Sequence, residues 1–235
     1  MDYSSPLAIQ VRRLGQKLRV LRPAVRLYRL IFPKGYEERF QDKLLGAIFE
    51  GMIVWDVGAN VGVYTKLFAE KVGLSGKVVA FEPSPKTFPI LRDATRASPA
   101  VLIHNAALSN EDGGATFYIS KTDTGHGTTD SLIPSKRAEA DAVIVTALRG
   151  DSPKLGPTPN VVKIDVEGFE LEVLQGMSGI LSKAELRAIF IEVHFLELMN
   201  RGLAAAPQQI VDILHAFGFT VSWTDPSHIA AERRQ

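Results

Sequence analysis

The chain reads as an α/β fold: a mainly parallel sheet flanked by helices. Three observations predict it. Apolar runs of strand length alternate with stretches of helical periodicity along most of the sequence. The first run, Met52-Ile53-Val54-Trp55, turns through Asp56-Val57-Gly58-Ala59-Asn60-Val61-Gly62 into a helical stripe of Val63, Leu67, Phe68 and Val72. The second run, Lys77 to Phe81, ends in a carboxylate, Glu82, where a doubly wound sheet brings the tips of its first two strands together.

The elements follow in order. Leu7, Val11, Leu14, Leu18, Leu21, Val25, Tyr28 and Phe32 recur at spacings of four and three, an amphipathic stripe that Pro23 kinks or divides. Its other side is basic: residues 1–34 hold eight Lys or Arg and one acid, against a whole-chain charge of +1. This arm is read as packing on the main domain, as a dimer seam, or as a surface for anionic lipid headgroups. After the two strands described above, Val101 to Asn105 forms a third. Ala115 to Ile119 and Ala142 to Val145 read as strands around a polar segment, Ser120 to Glu139, rich in Gly, Thr, Asp and Ser. Val161 to Val166 is a strand, and Phe169 to Gln175 a helix closed by Gly176. Ala188 to Val193 is a strand. Ile210, Ile213, Leu214 and Phe217 mark a helix ended by Gly218, and Phe219 to Trp223 is a strand, with Ile229-Ala230-Ala231 as a short last one.

The loop after the first strand is a place where backbone meets ligand. Gly58 and Gly62 carry no side chain to obstruct approach, and the following helix presents free amides. Asp56, at the strand end, can anchor an amino or hydroxyl group. Glu82 can accept hydrogen bonds from both hydroxyls of a ribose. The ligand is therefore read as a nucleoside, either a nicotinamide dinucleotide or S-adenosyl-L-methionine. A dinucleotide loop has Gly-x-Gly-x-x-Gly; here Asn60 takes the second glycine's place and the spacing is Gly-x-x-x-Gly, which favours a ligand without a pyrophosphate.

Five segments in this order carry a resemblance: Asp56 to Gly62, Phe81-Glu82-Pro83-Ser84-Pro85, Asn105-Ala106-Ala107-Leu108-Ser109, Lys163 to Glu170, and Ile191-Glu192-Val193-His194. Together they resemble the FkbM-type methyltransferases, class I enzymes that use S-adenosyl-L-methionine to methylate hydroxyl oxygens. The resemblance covers roughly Gly51 to Trp223. It implies a Rossmann-like, seven-stranded sheet with the last strand antiparallel. The amphipathic arm is taken over residues 1–45 and the catalytic domain over residues 46–235. The resemblance also implies that Pro83, Ser84, Asn105 and Ala107 border the cofactor, and that the acceptor is a sugar hydroxyl of a glycolipid, polysaccharide or glycosylated product, or a hydroxyl of a polyketide product. Val145-Thr146-Ala147-Leu148-Arg149 departs from the family, which often has a Leu-Asp pair there.

Methyl transfer needs alignment, removal of a proton from the acceptor and exclusion of water. Asp165 and Glu167 fall at the end of one strand, and Glu192 and His194 at the end of another. His194, with an ordinary pKa near neutrality, is the first choice of general base, and Asp165 the second. Asp165 serves alternatively to hold the methionine amino group or the acceptor hydroxyl, and Glu167 to orient the acceptor. The plainer alternatives are acids at a helix N-terminus for Asp165 and Glu167, and a strand-end cap for His194. Lys163 faces the site or pairs with Glu167. His126 enters from the polar loop or is an ordinary loop residue, while His104, His215 and His228 read as structural or exposed. Asp165, Glu167, Glu192 and His194 also offer oxygen and imidazole ligands for a divalent metal, but no spacing is diagnostic and no metal site is assigned. The run Asp165-Val166-Glu167-Gly168 lacks the prolines that base amino-methyltransferases often carry there, which favours oxygen as the acceptor atom.

Composition sets further limits. With 235 residues, 46% of them hydrophobic, the chain buries a sizeable core. Its net charge of +1 argues against a general nucleic-acid binder. It has no cysteine, no membrane-length apolar run and no leader-like apolar segment, so a cytoplasmic protein, peripheral to the membrane if the arm binds lipid, is expected. A nicotinamide-dependent oxidoreductase and a noncatalytic nucleoside binder stand as the alternatives to a methyltransferase.

Overall fold

Seven strands form the central sheet in the order β3-β2-β1-β7-β8-β10-β9, all parallel except β10, which runs antiparallel to both neighbours. The computed structural model describes residues 3, 5, 36–120, 132 and 140–233. The chain enters through α1 (Tyr36–Gly46), then β1 (Ile53–Val57), α2 (Val63–Val72), β2 (Lys77–Phe81), α3 (Phe88–Thr95), β3 (Val101–His104), β4 (Ala107–Ser109), β5 (Gly113–Ser120) and β6 (Ala140–Arg149). It continues through β7 (Val161–Ile164), α4 (Glu170–Gly176), α5 (Ser178–Leu181), β8 (Ala188–Glu192), α6 (Phe195–Asn200), α7 (Ala206–Ala216), β9 (Thr220–Trp223) and β10 (His228–Glu232). Apart from residues 3 and 5, the basic segment read as an arm lies outside the described residues up to position 35.

Both faces of the sheet are covered, which is why its strands read as near-continuous apolar runs. Trp55, Val57, Val79, Phe81, Val162, Ile164, Ile189 and Ile191 pack under α4 and α7. Val54, Val78, Val161, Phe190 and Ala230 face α1 and α2, against Phe40, Leu44, Phe68 and Val72. Phe40 meets Phe190 edge-on at 5.9 Å and lies 4.2 Å from the His228 ring. A separate small sheet, β4-β6-β5, carries the two strands expected around the polar segment and the short β4, which the sequence reading left out.

Two boundaries differ from the sequence reading, and both matter for the site. β1 runs on to Val57, so Asp56 lies within the strand and not at its end. A carboxylate is tolerated there because Lys163 is its register partner on β7. β7 stops at Ile164, short of Val166, because Glu167 (φ 51) and Gly168 (φ 95) take left-handed backbone and redirect the chain into α4. The order of strands reverses between β1 and β7, and the crevice at that switch point is where such sheets bind ligands.

Candidate active site

One pocket opens at the switch point, where such sheets hold their ligands. Its lining joins two regions. Gly58, Asn60, Glu82 and Pro83 come from the tips of β1 and β2, and Asp165 and Glu167 from the turn after β7; Ala107, Phe117 and Leu132 close another wall.

The first region is built from backbone. The amides of Gly58 and Ala59 both donate to the carbonyl of Phe81, at 3.0 and 2.9 Å, which ties the loop to β2. Glu82 is buried, and its carboxylate accepts the amide of Asn60 through Oε2 and that of Ser84 through Oε1, each at 2.8 Å. Asn105 does not line the pocket; its Nδ2 donates to the carbonyls of Glu82 and Pro83 at 2.9 and 3.2 Å and fixes that wall from behind. Ser84 is fully buried, and its Oγ accepts the amides of Lys86 and Thr87 at 3.3 Å ahead of α3.

The glycines have a different reason from the one the loop pattern suggests. Gly58 has φ +82, and a Cβ there would lie 1.9 Å from the carbonyl oxygen of Asp165. The room it leaves is filled by the chain itself, where β1 crosses the end of β7. Gly62, with φ +87, opens α2, and a Cβ there would meet Leu91 at 2.8 Å.

The second region is built from charged side chains. His194 Nδ1 donates to Glu170 at 2.8 Å, while Nε2 faces Glu167 at 3.4 Å, Asp165 at 3.8 Å and Glu192 at 3.9 Å. The four residues expected to converge do so, although Asp165 and Glu167 come from a turn and not from one strand face. Burial pushes the Glu167 carboxyl up to about 7. Burial opposes charge on His194, but the hydrogen bond and charge of Glu170, with Glu167 and Asp165 beside it, outweigh this and hold the ring well above its ordinary value. Burial likewise opposes charge on Asp165, yet Lys163 and then His194 bring it below the usual carboxylate range.

Beneath the pocket lies a buried charge chain. Asp56 is fully buried and takes no part in the lining; Thr65 donates to it at 2.7 Å, and Lys163 stands 3.6 Å away. Lys163 bridges to Asp165 at 3.3 Å and lies 4.9 Å from the Tyr64 ring centre, so its partners are the two aspartates and not Glu167. Burial raises the pKa of Asp56, against the pull of Lys163 and Thr65. Asp56 thus anchors the cation that anchors Asp165.

Sequence reasoning missed several supporting residues. Glu170 is fully buried and also accepts the amide of Gly168 at 2.8 Å. Arg201 donates to the carbonyl of Gly168, pairs with Glu172 and stacks over Phe169 at 4.0 Å, clamping the turn that presents Glu167. His228 donates to Asp225 at 2.8 Å and faces Glu192 at 3.5 Å, holding that carboxylate beside the cluster. His104 bonds the carbonyl of Leu155 at 2.9 Å and stacks on Phe81, and His215 is exposed, in line with structural roles. His126 and nearly all of the polar segment fall outside the described residues.

Comparison with known proteins follows the same outline. The model of the methyltransferase FkbM domain matches residues 56–221. The hexuronic acid methyltransferase AglP of Haloferax volcanii is 34% identical over 155 residues, 64% of this chain; the match spans only 59% of that relative's length. The 31-O-demethyl-FK506 methyltransferase FkbM of Streptomyces tacrolimicus is 28% identical over 215 residues, 79% of each chain. The crystal structure of a methyltransferase FkbM from Methylobacillus flagellatus shares the fold with a TM-score of 0.52 at 14% identity, over 78% of this chain and 44% of that one. Sequence and fold agree that this chain belongs to the FkbM methyltransferase family.

Proposed function

We infer that the chain is an O-methyltransferase that moves the methyl group of S-adenosyl-L-methionine to a hydroxyl of a saccharide or glycosylated acceptor. One observation carries this reading: a single pocket is lined at one end by Gly58, Asn60 and Glu82 and at the other by Asp165 and Glu167. The first end suits a nucleoside. The second sets carboxylates where a cationic sulfonium and a hydroxyl meet. An in-line displacement needs the two held in contact and the hydroxyl proton drawn off. The cluster of Asp165, Glu167 and His194 supplies the groups that orient the acceptor and take the proton. The Haloferax relative, named for a hexuronic acid, and the Streptomyces relative, named for a 31-O-demethyl compound, support a hydroxyl-bearing acceptor.

The test is calorimetric titration with S-adenosyl-L-methionine, S-adenosylhomocysteine and NAD, followed by transfer of labelled methyl to saccharides including uronic acids. The two sulfur nucleosides are expected to bind and NAD not to. Glu82→Gln should weaken their binding at least about 10-fold, the loss of one charge-assisted contact. Asp165→Asn should spare cofactor binding while stopping turnover. Binding of NAD alone would return the site to an oxidoreductase, and cofactor binding without transfer to any hydroxyl acceptor would point to a noncatalytic binder.

A further inference from the structure

His194 sits in a geometry that its own hydrogen bonds leave incomplete. A carboxylate only accepts, so the 2.8 Å contact with Glu170 places a proton on Nδ1. The other nitrogen, Nε2, faces oxygens of Glu167, Asp165 and Glu192 at 3.4, 3.8 and 3.9 Å. All three lie beyond the roughly 2.7–2.9 Å of a charge-assisted hydrogen bond. Three acidic groups thus surround one nitrogen without closing on it.

That spacing suits an ion between them. Two ligands at about 2.1–2.2 Å from a metal stand about 3.0 Å apart at a right angle and about 3.5 Å apart at a tetrahedral one. One atom each from Asp165, Glu167 and His194 lies within 4.8 Å of the others. A second feature, outside the three donors, points the same way. The fully buried Glu170 receives Nδ1–H, the carboxylate–histidine arrangement that stands behind metal-bound imidazoles and directs the free nitrogen to the ion. Glu170 is in turn fixed by the amide of Gly168.

We propose that Asp165, Glu167 and His194 bind one divalent cation of the manganese or magnesium type at the acceptor end of the pocket. Two carboxylates and one imidazole, with no cysteine in the chain, select a hard ion over a thiophilic one. Asp165 and Glu167 line the pocket, so the ion's remaining coordination positions open onto it. Metal binding requires an unprotonated Nε2, the tautomer favoured when Glu170 holds the Nδ1–H. The role of the ion rests on the methyl-transfer reading: it chelates adjacent saccharide hydroxyls and makes the reacting one more acidic. It also neutralises the charge of two carboxylates that would otherwise repel an acidic sugar.

The experiment is titration of the purified full-length protein with Mn²⁺, free ion being followed by electron paramagnetic resonance, with Mg²⁺ as competitor. One saturable site is expected. Pulsed resonance of the bound ion should show coupling to a nitrogen nucleus, the mark of His194 as a ligand. Glu170→Gln should weaken Mn²⁺ binding about 10–100-fold while S-adenosylhomocysteine still binds. No saturable site, or a site without nitrogen coupling in the unaltered protein, overturns the proposal, and neither result depends on a variant folding. S-adenosylhomocysteine binding without a Mn²⁺ site removes the metal centre alone. A Mn²⁺ site without cofactor binding removes the methyl-transfer reading and leaves the metal centre.

Discussion

Lys163 stands between two acids, with only 4% of its side chain exposed, against Asp56 at 3.6 Å and Asp165 at 3.3 Å. Lys163→Met leaves two carboxylates without their cation, and a loss of about 3–5 kcal/mol is expected. Urea unfolding measures it; a loss under about 1 kcal/mol would show that the charge chain does not stabilise the fold. His228 carries the pH dependence. Burial opposes its charge, but Asp225 and Glu192 raise it from 6.5 to about 9. The fold therefore binds this proton more tightly than the unfolded chain does. Its stabilisation is complete below pH 6.5 and fades as pH rises through about 9. The stability gap between the parent protein and His228→Gln should be on the order of 2 kcal/mol near pH 6 and largely vanish by pH 10. A gap constant with pH would mean that the ring acts by packing alone. At this scale the sequence was legible where side chains point into the pocket, as at Glu82, Asp165 and Glu167. It was not legible for Glu170, which reads as an ordinary acid at a helix start until the fold brings it to a histidine 24 residues on. Asp56 misled because a charged residue in an apolar run looks like a strand end; its partner is on another strand.

At the scale of elements, α1 is held by its apolar face. Phe40, Leu44 and the following Ile48 are buried against the sheet. Phe40→Ala removes the ring that meets Phe190 and His228, and should cost about 3–5 kcal/mol, read as a lowered midpoint of thermal or urea unfolding. A cost below 1 kcal/mol would show α1 to be dispensable to the core. The strands of the main sheet were easy to find, because burial on both faces writes each as an unbroken apolar run. The β5–β6 pair was found but not its placement: alternation in sequence does not say which sheet a strand joins. β4 is three residues long, too short to leave a pattern. The end of β7 was misplaced because Val166 extends the apolar run, while the backbone has already turned at Glu167.

At the scale of the molecule, the two ends of the pocket are made differently. One rests on amides and glycines at the tips of β1 and β2, the other on side chains carried by the turns after β7 and β8. Among the described residues no helix is long and apolar enough to cross a membrane. The basic stripe of residues 1–34 remains the candidate for lipid contact. Removing it should abolish sedimentation with anionic vesicles while S-adenosylhomocysteine still binds; unchanged sedimentation would discard that role. The contact of Gly58 with the Asp165 carbonyl has a consequence for how such an enzyme diversifies. Residue 58 supports both ends of the pocket at once, so a larger side chain there moves the donor loop and the acceptor turn together. On the proposed methyl-transfer reading, selection for a new acceptor that acted through that position would disturb the donor end as well. It is free to act on Phe117, Leu132 and the surface of the small sheet, which border the pocket without joining its halves. A lineage built on this plan would keep its methyl source fixed while its range of acceptors drifts.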